Sequence, residues 1–329
     1  MPAVANNTAP KLNELTLIAD IGATNARFAI MKANGEFADI LYLPCKDYPN
    51  FIDAATEYIA SCRIKPNNAV IAVACPVLSD EVNITNNHWK FSIQHSRAEL
   101  GLNNLKVVND FTAMAYAMPN LGPDDAKHIG GRKKQHDESM PIGVIGPGSG
   151  LGVGGLMPSA NGEWTPIITE GGHVTLAATT EEEERIIHLM REKYGHVTAE
   201  RLISGPGLVN LYHAHCTFDD VTPKDLEPMD VSDLSMKRQD KQCIKATKTF
   251  SELLGTVAGN LALTMGAHGG VYLAGGIIKK MENAFDEKAF RNRFEAKNPQ
   301  EDFMKPIPTY VIISRHIAFL GLRHIAQQG

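Results

Sequence analysis

Asn109 and Asp110 stand where the chain changes character. Residues 105–108 are a short β-branched run, whereas 111–118 are rich in Ala and Met, which favour helix, so the pair forms a strand-to-helix turn. Ligands of open α/β sheets bind beyond the carboxyl ends of the strands, where a carboxylate such as Asp110 is placed to act as a base. A helix N-cap calls for the same residue types. Glu170 and His173 share a short loop, EGGH, which a polar ligand can draw inward and which is also an ordinary solvated turn. Glu200, in HVTAERLISG, has a surface charge as its default reading. Thr85 and Asn86 lie in a crowd of amides and hydroxyls beside Trp89; such groups both donate and accept, as sugar recognition requires, and they equally build plain surface loops.

Two glycine-bearing turns have the makings of phosphate grips. In the first, an apolar run ends in Asp20-Ile21-Gly22-Ala23-Thr24-Asn25-Ala26-Arg27 before 28–31 resume the apolar pattern, giving strand, tight turn, strand. Gly22 offers backbone freedom, while Thr24 and Asn25 offer donors. A carboxylate beside phosphate requires a cation, which makes Asp20 a magnesium partner through water; a hairpin with a polar tip fits the same letters. The second turn, around Gly148, Ser149 and Gly150, follows a strand at 142–145. A GxGxxG match at Gly150, Gly152 and Gly155 runs into Pro158 and an Asn161-Gly162 turn where a dinucleotide-binding fold needs a helix, so that fold is excluded. The GxxxxGK[ST] loop and the protein-kinase motif set are absent. Gly275 and Gly276 end a buried strand ahead of a helix, a floor for a flat base such as adenine or a point of tight helix–strand packing.

The elements that position these residues read as alternating strands and helices. A helix is expected at 51–61, a buried strand at 69–74, a basic hairpin-like stretch at 130–138, and a helix running to Tyr194 with a Thr180/Glu183 capping box and Gly195 as its stop. Residues 217–241 read as an exposed polar excursion. A long helix at 243–265 carries Gly255 and Gly259 four apart, a spacing suited to close packing on another backbone, and a strand at 311–313 and a helix at 317–328 end the chain. A length of 329 residues implies two domains, and the break from Pro119 to Pro123 marks a boundary. The net charge of −5, with basic residues scattered, argues against a nucleic-acid partner. Five cysteines without CxxC spacing suit a reduced, cytosolic, zinc-free protein, and the polar N-terminal tail and short apolar runs suit one that is neither exported nor membrane-bound.

In order along the chain, DIGATNAR, TNNHW, NDF, GPGSGLG, EGGH, GHVTAERLISGPGLVNLY and GGVYLAGGI resemble the motifs of the bacterial glucokinase family, a branch of the hexokinase and actin-like ATP-binding superfamily. The resemblance covers nearly the whole chain. It implies an α/β fold of two actin-like (ribonuclease H-like) domains with a cleft between them, residues 1–119 plus 314–329 forming the small one and 120–313 the large one. It also implies ATP- and Mg²⁺-dependent phosphorylation of D-glucose to glucose 6-phosphate at the entry of glycolysis, by a cytoplasmic homodimer. Carried over by motif, Asp110 is the catalytic base, and Asn109, Glu170, His173 and Glu200 surround the sugar with it, Thr85 and Asn86 being added from their residue types. Asp20 to Thr24 form the first phosphate loop, with Asn25 beside it as a further donor, and Gly148 to Gly150 form part of the second. The chain departs from the pattern at Ala23, where a second glycine is common, at Pro147 and Ser149, and at Asn87, which replaces a frequent His. The cysteine-rich zinc motif of the related ROK proteins is missing from 174–180. Rival readings are a kinase of another hexose or an amino sugar and, from a different class, a sugar sensor or an actin-like ATPase with protein partners; Asp110 together with Glu170, His173 and Glu200 argues against the latter two.

Overall fold

The computed structural model describes residues 15–133, 139–314 and 317–328. The N-terminal tail and the far half of the expected 130–138 hairpin lie outside the described residues. Two compact units divide the chain, one of Met1–Asn120 with His316–Gly329 and the other of Leu121–Arg315.

In the first unit β1 (Thr16–Ile21), β2 (Asn25–Met31) and β3 (Phe37–Pro44) form an antiparallel meander. After α1 (Phe51–Cys62), β4 (Asn68–Val73) joins β1 in parallel. A ribbon of β5 (Glu81–Asn83) and β6 (Lys90–Ser92), then α2 (Ile93–Glu99), leads to β7 (Asn104–Asn109), parallel to β4, and α3 (Asp110–Ala117). The sheet order is β3-β2-β1-β4-β7. Strand periodicity assigns its faces: Leu17, Ala19 and Ile21 pack with Phe28, Phe51 and Tyr58, while Ile18 turns to the opposite core with Ala29 and Ala113. The α1 start is set by Asn50, whose side chain accepts from the Ile52 and Asp53 amides, and its end by Arg63 at φ 54°.

The second unit opens on β8 (Ala126–Gly130), followed by a second meander of β9 (Ile142–Pro147), β10 (Leu151–Pro158) and β11 (Trp164–Ile168). Next come α4 (Glu181–Tyr194), α5 (Gly205–Phe218), α6 (Pro228–Met236), α7 (Lys241–Met265), β12 (Gly270–Leu273), α8 (Gly276–Met281), α9 (Glu287–Glu295), α10 (Glu301–Met304) and β13 (Thr309–Ile312). Strand β12 runs parallel to β9 and β13 to β12, with β8 antiparallel at the edge, so the order is β11-β10-β9-β12-β13-β8. Each unit is thus a three-stranded antiparallel meander extended by two parallel strands, the actin-like, ribonuclease H-like plan. The last helix, α11 (Ile317–Gln328), belongs to the first unit and packs on α3 so closely that a Cβ at Gly321 would overlap the Ala113 carbonyl.

Several local expectations shift. Gly255 and Gly259 do allow backbone contact, since a Cβ at either would run into the carbonyl of Phe290 or Phe294 on α9. The capping box of α4 is displaced: Thr180 accepts from the Glu183 amide, but the Glu183 carboxylate reaches back to the amide and hydroxyl of Thr179 and pairs with Arg293 at 2.7 Å. That pairing accounts for a buried glutamate in an otherwise solvated acidic run. The 217–241 stretch is no simple excursion, because α6 within it buries Val231, Ser232 and Ser235, the last sharing a 2.7 Å hydrogen bond with Thr247 of α7. Of the expected 130–138 hairpin, Gly130 instead ends β8 and pairs with Thr309 of β13.

Candidate active site

Parallel pairing sets Ile21, Val73 and Asn109 in one row at the carboxyl ends of β1, β4 and β7. Asp110 follows that row directly, and Asp20 precedes it by one residue on β1. Asn109 is the N-cap of α3, its Oδ1 accepting from the Phe111 and Thr112 amides at 2.9 and 3.3 Å. The cap reading and the functional reading are therefore compatible, because the capping duty falls chiefly on Asn109. Its Nδ2 donates to the Cys75 carbonyl and to Asp110 Oδ1, at 3.2 and 3.0 Å, which fixes the carboxylate's orientation. Asp110 Oδ1 also accepts from the Phe111 amide at 2.7 Å, so both of these hydrogen bonds fall on one oxygen. Burial, and secondarily the negative charge of Asp20, push the Asp110 carboxyl up to about 6 despite those donors. A carboxylate with one oxygen anchored and a proton affinity near neutrality is suited to accept a proton.

Asp20 has a partner that sequence reasoning left without a role. Arg27 lies directly across the β1–β2 hairpin, and its guanidinium meets Asp20 Oδ2 at 3.0 Å. Arg27 thus supplies the Asp20 carboxylate with a cation from within the chain. Burial still holds Asp20 above its ordinary value, with Arg27 pulling the other way. The signal was available, since a turn at 22–24 makes positions 20 and 27 cross-strand neighbours. Ala23, Thr24 and Asn25 are exposed at the tip. Gly22 does not take a positive φ, and a Cβ there would meet only Asn25 O at 3.6 Å, so the turn does not depend on glycine freedom. It is held by hydrogen bonds: Gly22 N to Asn25 O, and the Gly22 carbonyl to Asn87 Nδ2, both at 3.0 Å. Thr85 and Asn86 occupy the exposed tip between β5 and β6, Asn86 at φ 57°.

In the second unit, the Gly148–Gly150 turn joins β9 to β10, with Gly148 N bonded to Gly150 O at 2.7 Å. Glu200 is no free surface charge. Its Oε2 accepts from Leu151 N at 2.8 Å and would lie 2.5 Å from any Cβ at Gly150, so the carboxylate braces the turn. The start of α5 braces it too, through Gly205 N to Gly148 O at 2.8 Å. Glu170 and His173 flank a short helical turn with both side chains exposed. Its glycines are not there for flexibility: a Cβ on Gly171 would crowd Val153, and one on Gly172 the Leu151 carbonyl, so the turn lies flat on β10. Beyond it, a bridge between Thr175 and Thr198, with Ala199 N to Val174 O at 3.0 Å, pairs this segment with the one carrying Glu200. Glu170, His173, Glu200 and the second glycine turn are thus assembled by backbone contacts.

The glycine pair divides the two readings offered for it. Gly275, at φ 94° and pressed against the Pro147 carbonyl, is required by packing, whereas a Cβ on Gly276 would meet nothing within 4 Å. Further along α8, a pocket of about 1060 Å³ is bordered by Ile278, Lys279, Ser235, Arg238 and Thr247. Among the described residues no group of three or more His, Cys, Asp or Glu forms a metal centre. Asp20, a single carboxylate beside the first turn, is the kind of donor magnesium takes, since that ion keeps several waters and is held by one or two carboxylates plus substrate phosphates.

The family model for glucokinase matches residues 17–329. A glucokinase of Nitrobacter hamburgensis is 44% identical over 316 residues, covering 95% of this chain and 98% of its own length. The crystal structure of a glucokinase from an Antarctic psychrotroph superposes with a TM-score of 0.88 at 32% identity, over 96% of this chain and 99% of that one. A ROK family glucokinase from Streptomyces griseus, solved in complex with glucose and AMPPNP, shares the fold with a TM-score of 0.64 at 17% identity, over 96% and 100% of the two chains. Motif order, the repeated meander-plus-parallel topology and these matches agree: the chain belongs to the glucokinase family, enzymes that phosphorylate D-glucose with ATP.

Proposed function

We propose that Asp110 is the base of this glucokinase, accepting the proton of the glucose 6-hydroxyl as that oxygen attacks the γ-phosphorus of ATP. The O6–P bond forms, the bond to the β,γ-bridging oxygen breaks, and ADP leaves with the electron pair. The observation that carries the reading is the geometry of Asp110: anchored through Oδ1 by Asn109 and Phe111, at the carboxyl end of β7 beside Asp20, with its carboxyl raised to about 6. At neutral pH it is mostly ionised, yet basic enough to take a proton that leaves late in a loose transition state.

The first turn holds phosphate oxygens through the amides and hydroxyl of Ala23, Thr24 and Asn25, and the second through Gly148, Ser149 and Gly150. Asp20 would hold magnesium through water, and the ion would supply neutralisation of phosphate charge. Glu170, His173 and Asn109 bind ring hydroxyls, with Thr85 and Asn86 at the rim and Glu200 contributing from the second turn. An epimer then leaves unpaired an acceptor that the bound sugar covers, which is how selectivity arises. Gly276 receives the adenine, for which its open Cα face is suited. The enzyme is proposed to act as a cytoplasmic homodimer, with no nucleic-acid or membrane partner. A coupled assay for ADP with glucose and ATP tests the reaction, and a panel of mannose, galactose and glucosamine tests the sugar. Absence of turnover with glucose, or faster turnover with another hexose, overturns the assignment.

A further inference from the structure

We propose that Asn87 is a positioning residue that ties the first phosphate turn to the TNNHW loop and so sets the aim of that turn. The inference rests on the reading that this turn holds the phosphates of ATP. One side chain serves both segments. Its Nδ2 donates to the Gly22 carbonyl at 3.0 Å, and its Oδ1 accepts from the Trp89 amide at 3.0 Å. Trp89 is fully buried and anchored by its indole N–H to the Tyr48 carbonyl at 3.0 Å, so the Asn87 tie runs to a fixed point.

A trans peptide directs its N–H opposite to its C=O. Drawing the Gly22 carbonyl inward therefore turns the Ala23 N–H outward, toward the exposed tip. The Cys45 thiol makes a weaker second contact to the same carbonyl at 3.8 Å, and the Cys45 amide binds the Thr24 carbonyl at 2.9 Å. With the carbonyls of Gly22 and Thr24 both held by inward partners, the amides that follow them, of Ala23 and Asn25, face out, as an anion site requires. Because Gly22 has ordinary backbone angles, these ties replace the glycine-specific conformation that a phosphate turn often needs. Ala23, in place of a second glycine, is tolerated for the same reason. The loop residue Asn86, at a positive φ of 57°, sits directly before Asn87, whose own amide closes that turn by donating to the Ile84 carbonyl at 3.3 Å.

The test compares Asn87→Asp and Asn87→Ala with the wild type, using ATP affinity by calorimetry without glucose, KM for both substrates, and thermal melting. Asn87→Asp keeps the acceptor for Trp89 and loses the donor to Gly22. It is expected to weaken ATP by roughly 10-fold, the order expected from one lost hydrogen bond, and to move the glucose KM by less than about twofold. Asn87→Ala loses both bonds and should raise both KM values. Unchanged ATP affinity in both variants overturns the proposal. So does a loss confined to Asn87→Asp that fades in high salt, since that would report added charge and not a severed tie. A fall in melting temperature without a change in ATP affinity makes Asn87 merely structural and also overturns it. If the wild type binds ATP but leaves glucose unphosphorylated, the proposed reaction fails while the affinity ratios still judge the tie; if it does not bind ATP, both fail.

Discussion

Asp110 is predicted to cost the enzyme stability in return for reactivity, and Asp110→Asn separates the two. Its carboxyl ionises at about 6 in the fold, against 3.8 ordinarily, because burial and Asp20 disfavour the charge. A raised carboxyl stabilises the fold fully only below the ordinary value, and that contribution is lost as pH rises through about 6. At pH 8 the wild type therefore carries a penalty of about 3 kcal/mol, from 1.36 kcal/mol per pH unit over that interval. At pH 4.5 the same linkage leaves about 1 kcal/mol. Asparagine keeps an Oδ1 to accept from Phe111 N and Asn109 Nδ2 but brings no charge next to Asp20. The variant should melt higher than the wild type at pH 8, by ~4 °C if the whole chain unfolds cooperatively, with the gap narrowing at pH 4.5. Its kcat should fall by ~10²–10⁴-fold, the usual loss on removing a general base. The wild-type kcat should rise with pH along a limb centred near 6. Calorimetric melting at both pH values and a pH–rate profile make the test. A variant that melts lower at pH 8, or shows the same gap at both, refutes the electrostatic reasoning, and one keeping half of wild-type kcat refutes the catalytic role.

Other substitutions probe the positions around it. Glu170→Gln should weaken glucose more than ATP in calorimetric titrations, since the exposed carboxylate is assigned to the sugar; equal loss for both ligands counts against that assignment. Gly276→Ala should fold normally but raise the KM for ATP, whereas Gly275→Ala, at φ 94° against the Pro147 carbonyl, should lower the melting temperature outright. The two outcomes reversed would mean that packing and ligand roles have been exchanged. Gly321→Ala should destabilise by about 1–3 kcal/mol, the range for overpacking, because its Cβ meets the Ala113 carbonyl of the helix that Asp110 begins. Denaturant titration reads that cost, and an unchanged midpoint would show that α11 can retreat from α3 freely.

What the sequence determined by itself was the part governed by local rules. Alternating strand and helix signals, and glycines at turns, led to the α/β class, and seven motifs in order led to the glucokinase family, because each motif is a short stretch whose types survive being read in isolation. The strand-to-helix turn at Asn109-Asp110 was legible for the same reason: the change from β-branched residues to Ala and Met happens within a few positions. Only the tertiary structure decided what surrounds these residues. That Asn109 does the capping while holding Asp110 by one oxygen, and that Glu200 braces Gly150, are consequences of pairings between distant segments. The glycines make the point most directly. Gly22, Gly171 and Gly172 look alike in sequence as sources of flexibility, yet the first is an ordinary turn residue and the other two admit a backbone lying flat on β10. Asn87 was seen as a departure from the family pattern, and its partner, the Gly22 carbonyl, is 65 positions away in sequence. Hydrogen bonds of that span depend on register and burial that form only when the sheet does, and no local pattern encodes them.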